Sequence, residues 1–524
     1  MKIIVKHSCI MIYGYKMGMS PKIEKYFSIY DKVSFKYYFK GLEYDEENEI
    51  LYLPRGIDIW MIENEFNIKA IVDKNCDKYT IHDDIKLKYM PRDDNQKQAL
   101  KFMIGKEEYH ANTYKSQLSL NLNTGVGKSY VSIATIAYTG ITSAIITSSI
   151  GWLDQWKDYI TEYTNIKSNE IYLISGIGTI HTILKKNISK YKIYLMSHMT
   201  IKSYGDKYGW DKVGELFRYL NIGMKFYDEA HLNYDNIMSI DFHTNAYKTY
   251  YVSATPARSD RSEDFIYKLS FKNVPSIDLF DAEKDPHTKY IAIKYSSHPS
   301  AQIISQCRNR YGLDRNKYID YVVRQPNFYI MLRYLIDLIM KHEGKALIYI
   351  GTNNAIKIVR DWIITEYPEL YNNVGIYTSI ITSNKEQQLE KKIILSTTKS
   401  CGAAMDISNL KMTILLAEPF SSQVIARQTL GRTRNDNTYY IEIVDIGFKT
   451  ITNFYSKKLG IFKKYALSTV ETTMNDKYLN NVYANIMNKR RFIYTGPVMP
   501  AIQFYKELPP AIEFNKNNKA IEFI

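Results

Sequence analysis

Cysteine is nearly missing from this chain of 524 residues: only Cys9, Cys76, Cys307 and Cys401 occur, widely scattered and without a CxxC pair. That spacing argues against a disulfide framework and a thiolate zinc site, and it suits a reducing interior with the four side chains simply buried. Long apolar runs are also lacking. Stretches such as Ala144 to Ile146 or Met412 to Ala417 fall far short of the roughly 20 residues a membrane span needs. No targeting segment is visible, because the apolar start Met1 to Val5 is cut by Lys6 and His7 and reads as an opening strand. No repeat of solenoid period occurs. No carboxylate cluster suggests a nuclease. The expectation is a protein of the cell interior that is neither secreted nor membrane-bound.

What is present is positive charge. Lys and Arg number 69 against 55 Asp and Glu, a formal net charge of +14, which points to a polyanionic partner. A low-GC coding bias toward Lys, Ile, Asn and Tyr produces the same excess without function. The 47 tyrosines can stack on bases, but core and surface filling accounts for most of them. With 45% hydrophobic and 24% charged residues, the chain reads as globular and long enough for two to four domains.

The pattern along the chain predicts an α/β architecture. Residues 1–88 hold short strand-like runs broken by turn formers and read as a small N-terminal α+β accessory domain. Between 89 and 275, apolar runs at Leu118–Leu122, Ala144–Ser148, Lys192–Ser197, Gly223–Asp228 and Lys248–Ser253 alternate with helix-period stretches, the rhythm of a parallel sheet wrapped by helices. Residues 276–325, with Pro275, Pro286 and Pro299, read as a linker or insertion. A second alternating lobe spans 326–465, with strands expected at Lys345–Ile350, Val374–Tyr377, Lys392–Ser396, Met412–Ala417 and Tyr439–Val444. Residues 466–524 form a polar extension with a basic cluster at Lys489 to Arg491.

The chemistry is concentrated in a few segments. Thr124-Gly125-Val126-Gly127-Lys128-Ser129, after a strand and before a helix, makes a phosphate cradle: the glycines allow close backbone approach, Lys128 reaches the β and γ phosphates, and the Ser129 hydroxyl suits Mg²⁺. Asp228-Glu229-Ala230-His231 closes a strand; Asp228 suits the metal, Glu229 the attacking water, and His231 a coupling role. Ser253-Ala254-Thr255 places two hydroxyls at the next strand end. In the second lobe, Ser396 to Asp406, with Thr398, Gly402 and Asp406, suits a phosphate backbone, a ribose or an arginine. Gln428-Thr429-Leu430-Gly431-Arg432-Thr433-Arg434 offers arginines for γ-phosphate charge.

In this order the segments resemble the superfamily-2 helicases and translocases. Gln96 matches the upstream glutamine that reads adenine; Thr124–Ser129 looks like motif I, Asp228–His231 like the DEAH form of motif II, and Ser253–Thr255 like motif III. Ala346–Asn353, Ser396–Asp406 and Gln428–Arg434 look like motifs IV, V and VI. Trp152–Trp156 resembles the segment after motif Ia that touches the nucleic-acid backbone. The resemblance implies two tandem RecA-like lobes, ATP with Mg²⁺, and a nucleic-acid partner, DNA over RNA, acted on by a monomer. Its nearest look is to phage and viral DNA helicases of the UvsW-like group, then to the RecG and XPB groups, which implies replication, recombination or repair. Two departures stand out: Asn435 occupies the usual last arginine position of motif VI, leaving Arg432 and Arg434 unseparated as the finger, and Ser148 replaces the usual proline of motif Ia. An RNA helicase, a translocase without strand separation and a non-catalytic nucleotide scaffold are the alternatives.

Overall fold

The computed structural model describes residues 1–31, 34–105, 116–122, 127–253, 261–279, 288–310, 312–378, 384–401, 407–432 and 437–474. Thr124, Gly125, Val126, Thr255, Gly402, Asp406 and Arg434, together with the basic cluster at 489–491, lie outside them. The chain divides into two compact units, Met1–Glu283 and Lys284–Ile524. All four cysteines are free thiols. No helix among the described residues is long and apolar enough to cross a membrane.

The first unit contains a seven-stranded RecA-like sheet. Its order is Ile171–Ile174, Ile193–Ser197, Ser143–Thr147, Met224–Asp228, Lys248–Ser253, Gln117–Asn121 and Ser276–Asp278, with every pairing parallel. Strands such as Met224–Asp228 are buried along their whole length, as expected when both faces of a parallel sheet are covered. The chain leaves Gln117–Asn121 and returns as Ser143–Thr147 beyond two intervening strands. That jump creates the crevice at the strand C-termini where α/β sheets bind ligands.

The N-terminal region adds a five-stranded sheet, Glu43–Asp45, Ile50–Pro54, Cys9–Tyr13, Lys2–Val5 and Ile71–Val72. It shares one core with the main sheet: Ile10, Leu51 and Leu53 pack in the same cluster as Tyr234, Ile237 and Phe242. Polar ties reinforce the joint. The Ser116 hydroxyl donates to the His7 carbonyl at 2.7 Å and the Gln117 amide to Ser8 O at 3.0 Å. Beneath the sheet, the Lys225 ammonium pairs with Asp241 at 0% and 1% side-chain exposure, and also reaches Thr244 Oγ1 at 2.7 Å and Ser8 Oγ at 3.4 Å. Asp241 further accepts the Tyr227 and Tyr251 hydroxyls at 2.7 and 2.5 Å.

The second unit carries another all-parallel, seven-stranded RecA-like sheet, ordered Val374–Tyr377, Ile393–Ser396, Lys345–Ile350, Leu410–Ala417, Thr438–Asp445, Thr288–Tyr295 and Ser468–Thr473. Two of these strands lie in stretches read from the sequence as linker and extension. Thr288–Tyr295 sets an Ile-Ala-Ile run between two Lys-Tyr pairs, and its Tyr290 and Tyr295 are fully or nearly fully buried. A strand sided by aromatics and lysines resembles surface chain until its partners are known. The stretch read as linker also holds the helices Ala301–Gln306 and Arg315–Val322.

Candidate nucleotide site

The glutamine arrives first. Asp93 caps the helix Asp94–Ile104, its carboxylate accepting the Gln96 backbone N–H at 2.8 Å. This fixes Gln96 in the first turn with its side chain turned inward, and its Oε1 accepts the Arg92 N–H at 2.9 Å. The helix ends at Gly105, where φ of +74° suits glycine.

Gln96 meets the loop expected to cradle phosphate. Gly127 has φ of +104°, a conformation only glycine adopts readily. A Cβ at Gly127 would stand 2.3 Å from Gln96 Nε2, so the carboxamide lies flat against the last turn before the helix. That helix, Lys128–Thr139, has no side-chain N-cap, which leaves its first amides pointing outward with the positive end of the dipole behind them.

Three adjacent strands then deliver the remaining groups. In parallel register, Asp228 pairs with Val252 and Ser253 with Asn121, so the ends of Met224–Asp228 and Lys248–Ser253 stand beside the strand that feeds Lys128. Lys128 Nζ donates to Glu229 Oε1 at 2.9 Å, with side-chain exposures of 11% and 3%. Glu229 takes φ of +50°, an uncommon backbone state for a non-glycine residue, and it turns the carboxylate away from the strand direction. The Asp228 carboxylate accepts the Trp156 indole N–H at 3.0 Å. Burial raises the Asp228 pKa above the usual carboxylate value; Glu229 adds to the rise, while Lys128 and the Trp156 hydrogen bond oppose it. His231 Nδ1 lies 2.8 Å from Ser253 Oγ and 3.4 Å from Glu229 Oε2.

Lys128, Ser129, Asp228, Glu229, His231, Ser253 and Gln96 therefore meet at one end of the sheet. Trp156 belongs with them; the resemblance marked its segment for nucleic-acid contact and did not single out the indole for Asp228. The structure turns Trp152, Leu153 and Trp156 inward. The signal was the apolar spacing of Leu153, Trp156 and Ile160 along the helix Leu153–Tyr163, which marks an inner face. His198 also went unnoticed: it is fully buried and stacks on Tyr227 at 5.7 Å with planes 13° apart.

The residues fit a nucleoside triphosphate with Mg²⁺. A Cβ at Gly127 would meet Gln96, so the backbone beside Lys128 stays uncovered by a side chain, and hydroxyl and carboxylate oxygens are the donors Mg²⁺ takes. Among the described residues no group of three or more His, Cys, Asp or Glu could hold a metal. Ser129 and Asp228 carry oxygens of the kind Mg²⁺ takes.

The second unit is built around its own strand ends. Thr352 caps the helix Asn353–Glu366. The Thr398 hydroxyl donates to Glu418 at 3.1 Å, and Glu418 also pairs with Arg315. Ser422 caps the helix Gln423–Leu430, which carries the buried Gln428, and Arg432 follows it at 5% exposure. Burial raises the Cys401, Tyr349 and Tyr377 pKa values, and the charge of Arg432 opposes the rise at all three.

Comparison with known proteins gives one family match: residues 89–258 fit the model ResIII, described as type III restriction enzyme, res subunit. No curated protein matches the sequence. Among solved structures, UvsW of T4 aligns at 15% identity over 91% of this chain and 100% of its own, with a TM-score of 0.35. A fragment of a putative HsdR subunit of a type I restriction enzyme from Vibrio vulnificus aligns at 14% identity, covering 85% and 78%, with a TM-score of 0.49. S. cerevisiae Dbp5, solved with RNA and ADP BeF3, aligns at 14% identity, covering 72% and 89%, with a TM-score of 0.47. The functional reading rests on the chain's own residues and on the 89–258 match.

Proposed function

We propose that this chain, a superfamily-2 helicase in its motifs and its ResIII match, is an ATP-driven motor on DNA that serves replication, recombination or repair of a phage or virus. The observation that carries the reading is the Lys128–Glu229 pair at 2.9 Å, 11% and 3% exposed, at the end of a parallel sheet beside Gly127. A buried pair of this kind is poor stabilisation on its own terms, and it sits where a hydrolytic site needs both groups.

Lys128 neutralises Glu229 in the form described here. An entering triphosphate would draw the ammonium to its own oxygens, and Glu229 would then be freed to take a proton from the attacking water. Bound Mg²⁺ supplies charge neutralisation at the β and γ phosphates. Trp156 holds the Asp228 carboxylate in one orientation, and Gln96, packed against Gly127, would read adenine. His231 and Ser253 would carry the state of Glu229 to the strand end that leads toward Thr255. Arg432 or Arg434 would supply γ-phosphate charge, and Thr398, Gly402, Asp406 and Gln428 would serve nucleic-acid contact and coupling.

ATPase activity measured in parallel with single-stranded DNA, forked DNA, four-way DNA and RNA tests the proposal. DNA is expected to stimulate hydrolysis, with forked or four-way forms strongest. Stimulation by RNA alone would replace DNA with RNA as the track. Stimulation by DNA without unwinding of a fork would leave a translocase. Activity indifferent to every nucleic acid would overturn the motor.

A further inference from the structure

The hairpin formed by Ser28–Asp31 and Lys36–Phe39 stands apart from the sheets and pairs with neither. Its register sets Ser28 opposite Phe39, Ile29 opposite Tyr38 and Tyr30 opposite Tyr37. Side chains alternate along a strand, so Tyr30, Tyr37 and Phe39 share one face. All three are open to solvent, at 44%, 73% and 42%, and the Tyr30 and Tyr37 rings lie 5.1 Å apart. Phe35, next to the second strand, is 72% exposed with φ of +55°. Ile29, the aliphatic residue of the pair of strands, lies on the other face with the 44% exposed Tyr38 and packs, partly buried, against the core. Solvent is thus offered rings and not aliphatic chains.

A two-stranded hairpin is marginal in water alone, and this one is mounted at its root. The buried Lys40 ammonium lies 2.9 Å from both Asp235 and Glu263, on the helices Tyr234–His243 and Arg261–Ser270. Gly41, at φ of +74°, lies so close to Tyr234 that a Cβ there would fall 2.0 Å from its hydroxyl. Tyr234–His243 is the helix that starts just after Asp228-Glu229-Ala230-His231. The aromatic hairpin is therefore seated on the helix that leaves the nucleotide site.

We infer that Tyr30, Phe35, Tyr37 and Phe39 form a stacking platform for unpaired nucleobases, carried on the motif II helix. Exposed flat rings take bases of any sequence, and positive charge draws the backbone in; Lys36 starts the second strand, opposite Asp31, in a chain of net charge +14. The platform rests on the motor reading above and adds a contact outside the helicase motifs.

The test compares the wild-type chain with a Tyr30→Leu/Phe35→Leu/Tyr37→Leu variant, which keeps apolar bulk and removes the rings, and with Tyr30→Phe/Tyr37→Phe, which keeps the rings. Fluorescence anisotropy with labelled single-stranded DNA, single-stranded RNA and duplex is read alongside ATPase without and with nucleic acid. The leucine variant is expected to bind single strands about tenfold or more weakly, to bind duplex nearly as before, and to keep its unstimulated ATPase. The phenylalanine variant should match wild type. Single-strand binding unchanged in the leucine variant overturns the platform, as does a loss confined to self-association or to a protein partner. If the triple variant does not fold, Tyr37→Leu alone, at a 73% exposed position, is read in the same way. A wild-type ATPase that no nucleic acid stimulates defeats the motor reading, whereas a stimulated wild type with an unaffected variant defeats the hairpin alone.

Discussion

Gly127 cannot be replaced without two separate costs. Its φ of +104° disfavours any side chain, and a Cβ would meet Gln96 Nε2 at 2.3 Å. Gly127→Ala is expected to lose about 1–2 kcal/mol from backbone strain alone and to raise KM for ATP. Adding Gln96→Ala should relieve the collision but not the strain, so the double variant recovers part of the stability in a denaturation experiment. Lys128→Ala should lower kcat by about 10²-fold or more. Glu229→Gln should slow hydrolysis by about 10²–10⁴-fold while ATP still binds, a split that equilibrium nucleotide binding beside steady-state kinetics would reveal. His198 offers a pH test. Burial pushes its pKa down to about 3, below the unfolded value near 6.5. The folded state therefore resists protonation: stability is full above about pH 6.5 and declines as pH falls toward 3. By pH 5 the loss is about 2 kcal/mol, and His198→Phe should flatten the dependence. The placement of Lys128 and Asp228 at adjoining strand ends was legible in the sequence, because a strand followed by a glycine turn and a helix leaves a local pattern. Trp156 and His198 were not, since a buried indole or imidazole has no local pattern that separates it from core.

Among the elements, the strand Met224–Asp228 carries a carboxylate of the candidate nucleotide site at one end and a buried ion pair at the other. Asp228 faces the nucleotide site, while Lys225 is locked to Asp241 below. Asp241→Ala would strand a buried ammonium and is expected to cost about 3–5 kcal/mol, seen as a lowered urea midpoint. The Lys225→Met/Asp241→Leu double variant should lose less, although it still deprives the Tyr227 and Tyr251 hydroxyls of their acceptor. The sequence revealed central strands well, because short apolar and aromatic runs bounded by turn formers and alternating with helix-period stretches carry a strong local signal. Observed Met224–Asp228 and Lys248–Ser253 fall almost where alternation placed them. Short or polar strands such as Ser276–Asp278 and Ser468–Thr473 are held by their neighbours and leave little trace in composition.

For the whole molecule, the charge of +14 sets a salt dependence. Affinity for single-stranded nucleic acid should fall at least about tenfold between 50 and 200 mM salt, with log K linear in log salt concentration, as counterion release requires; an affinity indifferent to salt would point to a contact without phosphates. The lobed α/β plan was readable from alternation alone. The fusion of the N-terminal sheet to the first lobe was not, because a shared core such as that of Leu51 with Ile237 is a property of distant segments meeting.

The order of the second sheet has a consequence for how the chain is made. Thr288–Tyr295 is an inner strand, flanked by Thr438–Asp445 and Ser468–Thr473, yet it leaves the ribosome long before either. At ordinary rates of synthesis the wait is on the order of 10 s. Through that interval its tyrosines and isoleucines have no strand to lie against. The nascent polypeptide must be shielded until the last strand emerges, and a ribosome stalled before Thr438 would hold a sheet that cannot close.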